Sequence, residues 1–153
     1  MAVHKLVRKQ LINRPIEEVW AFFSNPGNLA TLTPDYMNFR VTSETDIEHI
    51  YAGQIITYKV SPLLGIPLFW MTEITQVREL QFFIDEQRRG PYRLWHHQHH
   101  FSRQDGKTLM TDIVHYQLPL YILGNIAHAV FVKKQLHDIF DYRHRTIESL
   151  FNK

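Results

Sequence analysis

The densest group of side chains capable of chemistry lies between Arg89 and Phe101, where the sequence reads RGPYRLWHHQHHF. Four histidines fall within five residues of this stretch. An imidazole can ligate a metal ion, transfer a proton, or donate and accept hydrogen bonds. Which of these roles is open to them depends on which histidines share a face of the structure.

Asp105 and Gly106 predict a two-residue hairpin turn, which sets the pairing of the strands on either side. With these residues as the loop, Gln104 pairs with Lys107 and His99 lies opposite Asp112. Because side chains alternate along a strand, one face then carries a set of eight residues: Trp95, His97, His99, Phe101, Met110, Asp112, Val114 and Tyr116. A loop of three residues would exchange the two faces.

The four histidines therefore divide into two pairs. His97 and His99 are predicted to point inward. His96 and His100 are predicted to point outward, onto a mostly polar face that we expect solvent to cover.

The inner pair forms an H-x-H motif that could begin a metal site, with Asp112 as a third ligand. Two histidines and one carboxylate lack a clear further ligand, so we expect no metal and no other cofactor. The same trio fits acid–base catalysis, because a histidine backed by a carboxylate is a recognisable general base. It also fits a buried polar network, because a buried polar group needs partners. We favour a polar patch that contacts a ligand over a catalytic group.

The sequence around FFIDEQ leaves one orientation open. Apolar residues stand at both alternating sets of positions there. The pattern therefore does not decide whether Asp85 and Gln87 or Glu86 faces the interior.

The bulk composition excludes several classes of function. The formal net charge is only +2, which argues against nucleic-acid binding on electrostatic grounds. The sequence has no cysteine, which excludes disulfides, thiolate metal sites and cysteine nucleophiles. No apolar run approaches the ~20 residues of a membrane span, and the first residues lack a signal-peptide pattern, so we expect a cytoplasmic protein.

Hydrophobic periodicity predicts one α+β domain over residues 1–153. Two short helices follow the first strand, a period of two then dominates, and a long helix runs from about Tyr121 to Asn152. A helix of about 30 residues extends roughly 45 Å, enough to cross the concave face of a curved antiparallel sheet. The predicted strands cover residues 3–12, 38–45, 54–61, 68–78, 79–88, 92–103 and 107–118.

This order of elements, together with three motifs, resembles the START-related helix-grip (SRPBCC) superfamily, and within it the polyketide cyclase/dehydrase and lipid-transport subgroup. The motifs are RPIEEVWAFFSNPGNLATLTP, FIDEQRRGPYRLWHHQHHF and LMTDIVHYQLPLYILG. The resemblance covers essentially the whole chain. It implies a cavity under the long helix for a sterol, lipid, hormone or polyketide, and in some relatives cyclisation or dehydration of an aromatic precursor.

We therefore expect a small, largely apolar or aromatic ligand in a cavity between the sheet and the long helix. The alternatives are a cyclase- or dehydratase-type enzyme that uses His97, His99 and Asp112, and an interaction module without a ligand. The predicted ligand-binding residues are Tyr58, Trp70, Trp95, His97, His99, Phe101, Met110, Asp112, Val114, Tyr116, Leu123, Ala127 and Phe131.

The beginning of the last helix is apolar nearly all the way round, so one stripe of it needs a cover other than the sheet. We expect this segment either to close the cavity entrance together with the apolar loop at 63–66, or to form a contact between two copies of the chain. The protein is accordingly expected to be a monomer or a homodimer.

Overall fold

A tight turn at Asp105–Gly106 joins two 11-residue strands that pair with each other along their whole length. Both residues have positive φ angles, 49° and 76°, which are those of a type I′ turn. Gln104 pairs with Lys107, and the ladder continues through His99 opposite Asp112 to Leu94 opposite Gln117. The predicted register is confirmed in the computed structural model, which describes residues 2–43, 48–62, 64–119 and 126–153.

Seven strands form one antiparallel sheet, as predicted. Their order across the sheet is β1-β7-β6-β5-β4-β3-β2. The strands are β1 (His4–Ile12), β2 (Arg40–Val41), β3 (Ile55–Val60), β4 (Leu68–Arg78), β5 (Phe82–Arg89), β6 (Leu94–Gln104) and β7 (Lys107–Gln117).

Two register shifts between β4 and β5 bend the sheet. They fall between Met71 and Thr72 and between Ile74 and Gln76. Such a shift is typical of a β-bulge, in which an extra residue in one strand increases the local twist and bends that strand. The concave face that results is the face that holds the buried side chains of β6 and β7.

Two predicted strands differ from the observed ones at their ends. The strand predicted over 79–88 begins only at Phe82, because Leu80 takes a positive φ of 60° in the turn after β4. The strand predicted over 38–45 is reduced to Arg40–Val41 within the described residues, because Asn38 has a left-handed conformation and residues 44–45 lie outside that part of the chain.

The segment after β1 contains one α-helix, α1 (Ile16–Phe23), followed by short 3₁₀ turns at Pro26–Asn28, Ala30–Leu32 and Asp35–Met37. Glu17 and Glu18 lie in the first turn of α1, where their negative charges interact favourably with the positive end of the helix dipole and stabilise the helix. The helix buries Ile16, Val19 and Trp20. The second of the two predicted short helices is thus a series of 3₁₀ turns.

The long C-terminal helix, α2 (Ile126–Phe151), packs across the concave face. Ile147 joins a core cluster with Trp20 and Phe101 near α1. Leu136 and Phe140 join a second cluster over β1 and β7. This helix is not apolar enough to cross a membrane, and neither is any other helix among the described residues.

Candidate functional site

A cavity of about 340 Å³ lies between the concave face of the sheet, the 3₁₀ turns and α2. Side chains of β3, β4, β5 and β6 form its floor, while α1, the 3₁₀ turns and α2 supply the remaining walls. The lining is mainly apolar. Of the residues predicted to bind a ligand, the described ones that line the cavity are Tyr58, Trp70, Trp95, His97, His99 and Phe131.

Five other predicted residues lie on the expected face of the sheet but, among the described residues, outside the cavity lining. Phe101 and Met110 belong to the core beneath α1, and Val114 and Tyr116 belong to the core beneath α2. Asp112 lies behind the imidazoles. The reason is that helices pack directly on this face over β1, over β7 and over the part of β6 that contains Phe101. The cavity therefore lies over β3, β4, β5 and the part of β6 that contains Trp95, His97 and His99. Leu123 and the side chain of Ala127 lie outside the described residues.

Five polar residues meet at one end of the cavity. His97 Nε2 donates to Asp112 Oδ1 at 2.9 Å, and His99 Nε2 donates to Asp85 Oδ2 at 2.6 Å. Arg143 contributes a guanidinium nitrogen 3.4 Å from Asp112 Oδ1. His97 Nδ1 lies 3.7 Å from Asp85 Oδ2. All of these groups except Asp112 border the cavity.

Aromatic rings hold the two imidazoles in place. The rings of His97 and His99 are 3.7 Å apart between centroids, and Phe83 stacks on His99 at 4.0 Å. Trp95 and Phe140 both present an edge-on ring contact to His97. The imidazoles are therefore fixed by packing as well as by hydrogen bonds.

The pKa values of the two histidines are shifted in opposite directions. Burial lowers the pKa of His97, and the neighbouring His99 lowers it further. Burial also acts to lower the pKa of His99, but hydrogen bonds to Asp112 and Asp85 outweigh it, so the pKa is raised. The lowered pKa of His97 means that this imidazole is neutral at neutral pH.

Burial acts to raise the pKa of Asp112, but Arg143 and the two imidazoles outweigh it and hold the pKa well below its usual range. The pKa of Asp85 is lowered in the same way, because the contacts with His99 and His97 outweigh burial. Both carboxylates are thus charged at neutral pH.

The proton of neutral His97 resides on Nε2, because the carboxylate facing that atom can only accept. Its Nδ1 consequently carries a lone pair on the side of Asp85. This end of the cavity holds an unprotonated nitrogen beside a carboxylate oxygen.

Asp85 is a site residue that the sequence pattern left undecided. It pairs in register with His97 and lines the cavity, whereas Glu86 turns outward to His96 Nδ1 at 2.6 Å. Gln87 holds the start of the next loop through hydrogen bonds to both backbone groups of Tyr92, at 2.6 Å and 3.1 Å.

Arg143 is a site residue that sequence reasoning missed, although a signal was present. It stands seven residues after Leu136 and four before Ile147, on the buried stripe of the last helix. A charged residue on such a stripe requires a buried partner, and Asp112 supplies it.

A row of aromatic rings forms the wall over β3 and β4. Tyr58 stacks on Trp70 at 5.9 Å, and Trp70 contacts Trp95 edge-on at 5.3 Å. The hydroxyl of Thr72 satisfies the polar atoms of this wall, at 2.6 Å from Tyr58 Oη and 3.1 Å from Trp70 Nε1. The polar atoms of Tyr58 and Trp70 are therefore satisfied within the wall itself.

One side of the cavity is bordered by the first described turns of α2 and by the loop after β3. Gln135 Nε2 donates a hydrogen bond to the carbonyl oxygen of Pro62. Phe131 lines the cavity while 45% of its surface remains exposed, and Leu64 and Ile66 in the loop are also exposed. Leu63 lies outside the described residues, so the predicted contact of the whole loop with the helix stays a prediction.

The outer pair of histidines lies on the convex face, as predicted, and is half-buried. His96 contacts Glu86, and His100 Nε2 lies 2.9 Å from Gln98 Oε1. Neither histidine lines the cavity in the described part of the chain.

No family model matches the sequence, and no curated protein does either. Solved structures do match along nearly the whole chain. Protein CV1439 from Chromobacterium violaceum superposes with a TM-score of 0.73 at 13% identity, covering 98% of this chain and 99% of that one. The major latex-like protein 151 from Panax ginseng gives a TM-score of 0.62 at 13% identity over 96% of both chains.

A third similar structure is a nucleoside-diphosphate sugar epimerase from Corynebacterium glutamicum, with a TM-score of 0.64 and 25% identity. The match covers 93% of this chain but 28% of that protein, so there the fold is one part of a longer polypeptide. The sheet order, the long final helix and these neighbours agree with the resemblance seen in the sequence. The chain has a helix-grip fold, which these solved structures share.

Proposed function

We propose that this chain binds a small, largely apolar molecule, a lipid, polyketide or aromatic metabolite, in the cavity between the sheet and α2. The observation that carries the proposal is a cavity of about 340 Å³ with an apolar, largely aromatic wall and a polar cluster at one end. Ligand sites typically occupy about 300–1,000 Å³ and combine apolar walls with a few fixed polar groups. A fully packed interior, which would have favoured an interaction module without a ligand, would leave no such void.

Affinity would come from burial of the ligand against the aromatic wall. Tyr58, Trp70 and Trp95 all line the cavity, and Thr72 satisfies the hydroxyl of Tyr58 and the indole N–H of Trp70. Burial of apolar surface contributes about 25 cal/mol per Å². A flat aromatic or alicyclic skeleton suits this wall best, because ring faces stack with an offset on other rings.

Orientation would come from the polar cluster. Asp85 and the Nδ1 atom of His97 both accept hydrogen bonds, so the polar end of the ligand should carry a hydroxyl or another donor. A ligand carboxylate would instead face the charge of Asp85. The proposed ligand is therefore an apolar skeleton with a donor at one end.

A second candidate function is acid–base catalysis of a cyclisation or dehydration. The observation in its favour is the unprotonated His97 Nδ1 beside the cavity, since the pKa of that imidazole is lowered by burial and by His99. A general base needs its lone pair directed at the substrate. Turnover of an aromatic polyketide, with a pH profile that disappears in His97→Gln, would establish it.

Occupation of the cavity is tested by filling it. Leu136 is buried and lines the cavity on α2, whereas Leu150 on the same helix is 44% exposed. Leu136→Trp should abolish binding of an apolar fluorescent probe, while Leu150→Trp should leave binding unchanged. Equal probe affinity in folded Leu136→Trp and in the unaltered protein would show that the probe binds elsewhere and would contradict the proposal.

A further inference from the structure

We propose that Asp85, His97 and His99 bind one divalent transition-metal ion at the polar end of the cavity. This inference goes beyond ligand binding, because the metal would be held by the protein alone. With the metal bound, the hydroxyl of a ligand would occupy an open coordination position instead of donating to Asp85 and His97. It also revises our expectation from the sequence. That expectation was that no metal binds, because only Asp112 was considered as a third ligand, whereas Asp85 is the carboxylate that shares the cavity side with the two imidazoles.

The three donor atoms already lie together. Asp85 Oδ2, one nitrogen of His97 and one nitrogen of His99 all lie within 4.8 Å of one another. Asp85 Oδ2 is 2.6 Å from His99 Nε2 and 3.7 Å from His97 Nδ1. Donors on a metal with bonds of about 2.0–2.2 Å stand about 3–3.4 Å apart. Opening the first distance and closing the second by several tenths of an ångström brings both into that range.

Asp112 supplies the support that metal-bound imidazoles normally have. His97 Nε2 donates to its Oδ1 at 2.9 Å, and His99 Nδ1 lies 3.2 Å from the same atom. One carboxylate thus faces the rear nitrogens of both rings, which leaves the front nitrogens to face Asp85. A metal-ligating histidine almost always directs its other N–H to such an acceptor.

The strand positions of the three ligands indicate a preformed arrangement. The ligands come from adjacent strands, with Asp85 directly across from His97 and with His99 two residues further along β6. Strand positions hold donor atoms more precisely than loops do.

The donor set indicates the class of metal. Two imidazole nitrogens and one carboxylate oxygen suit Zn²⁺, Fe²⁺ or Co²⁺, whereas Ca²⁺ and Mg²⁺ prefer oxygen alone. All three ligand residues line the cavity, and Asp112 lies on the far side of the rings. The remaining coordination positions would therefore open toward the cavity, as they do where a bound metal meets a second molecule.

The test uses the full chain after treatment with a chelator. Zn²⁺ is titrated in competition with a chromophoric chelator, and the visible absorption of added Co²⁺ reports on coordination. We expect one equivalent of metal per chain. Asp112→Asn should weaken binding about 10–100-fold, as loss of an outer partner does, and Asp85→Asn should weaken it further.

The matched control is the outer pair on the same strand. A double variant, His96→Gln with His100→Gln, should bind one equivalent as tightly as the unaltered chain. Loss of binding in this control, or failure of the unaltered chain to take up either metal, would overturn the proposal.

A second measurement needs no substitution and remains decisive if a variant fails to fold. In ¹⁵N-histidine NMR spectra of the unaltered chain, Zn²⁺ should shift the ring nitrogens of His97 and His99. Shifts confined to other histidines would contradict the site. Neither experiment requires an organic ligand. Failure to bind metal would therefore leave the proposed ligand binding standing, and failure to bind a ligand would leave the metal site standing.

Discussion

Asp112 pairs in register with His99 across β6 and β7, yet its carboxylate accepts its 2.9 Å hydrogen bond from the diagonal neighbour, His97. The carboxylate can serve both rings because Arg143 approaches it from α2, at 3.4 Å. One buried oxygen atom therefore links the sheet, the helix and both cavity histidines. The integrity of this end of the cavity depends on that charge.

Removing this charge should destabilise the fold strongly. Asp112→Asn leaves Arg143 buried without its counter-charge, and breaking a buried pair in this way typically costs about 3–5 kcal/mol. The free energy of unfolding in urea measures the effect. Glu86→Gln is the control, because that carboxylate forms a partly exposed pair on the outer face and should cost about 1 kcal/mol or less. Equal losses in the two variants would contradict the buried network.

The tyrosines of the cavity wall should resist ionisation. Burial raises the pKa of Tyr58 and also that of Tyr92, where Tyr116 adds to the shift. Because the folded pKa lies above the unfolded value of about 10, the stability that they contribute is complete below pH 10 and is lost as the pH rises further.

Phenolate absorbance during an alkaline titration measures this behaviour. Part of the signal should appear only as circular dichroism reports unfolding, and Tyr58→Phe and Tyr92→Phe should each reduce that late part. Complete ionisation of these tyrosines in the folded protein would mean that water reaches their hydroxyl groups, and it would contradict their burial in the cavity wall.

Phe131 should control exchange of the ligand. It lines the cavity while nearly half exposed, and the adjacent Val130 is 63% exposed without lining the cavity. Phe131→Ser should therefore speed release of a bound fluorescent probe in stopped-flow measurements, and Val130→Ser should not.

Solution scattering distinguishes this role from a contact between two copies of the chain. Both variants should keep the molecular mass of the unaltered protein. A change from dimer to monomer in Phe131→Ser would instead assign the exposed surface to an interface.

Local rules predicted the fold and three of the five residues of the polar cluster. The Asp105–Gly106 turn determines the pairing of β6 with β7, and strict alternation then assigns His97, His99 and Asp112 to one face. The long helix followed from a periodic apolar stripe. Both are short-range signals, and short-range signals can be read from one sequence.

The remaining part of the cluster depends on packing between distant elements. Asp85 lies on a strand with apolar residues on both faces, beside two register shifts in its pairing with β4, so alternation alone could not orient it. Arg143 reaches Asp112 only because α2 crosses the sheet at that point. The boundary of the cavity depends likewise on where α1 and α2 cover the sheet, which excludes Phe101 and Val114 from its lining.

Native mass spectrometry of the freshly purified protein tests the central claim most directly. We predict a bound small molecule of largely apolar character, present in the unaltered chain and in Leu150→Trp but absent from folded Leu136→Trp. The released compound should carry a hydroxyl or another hydrogen-bond donor at one end. Bare protein that also fails to take up any apolar probe, or a compound retained equally by Leu136→Trp, would contradict ligand binding in this cavity.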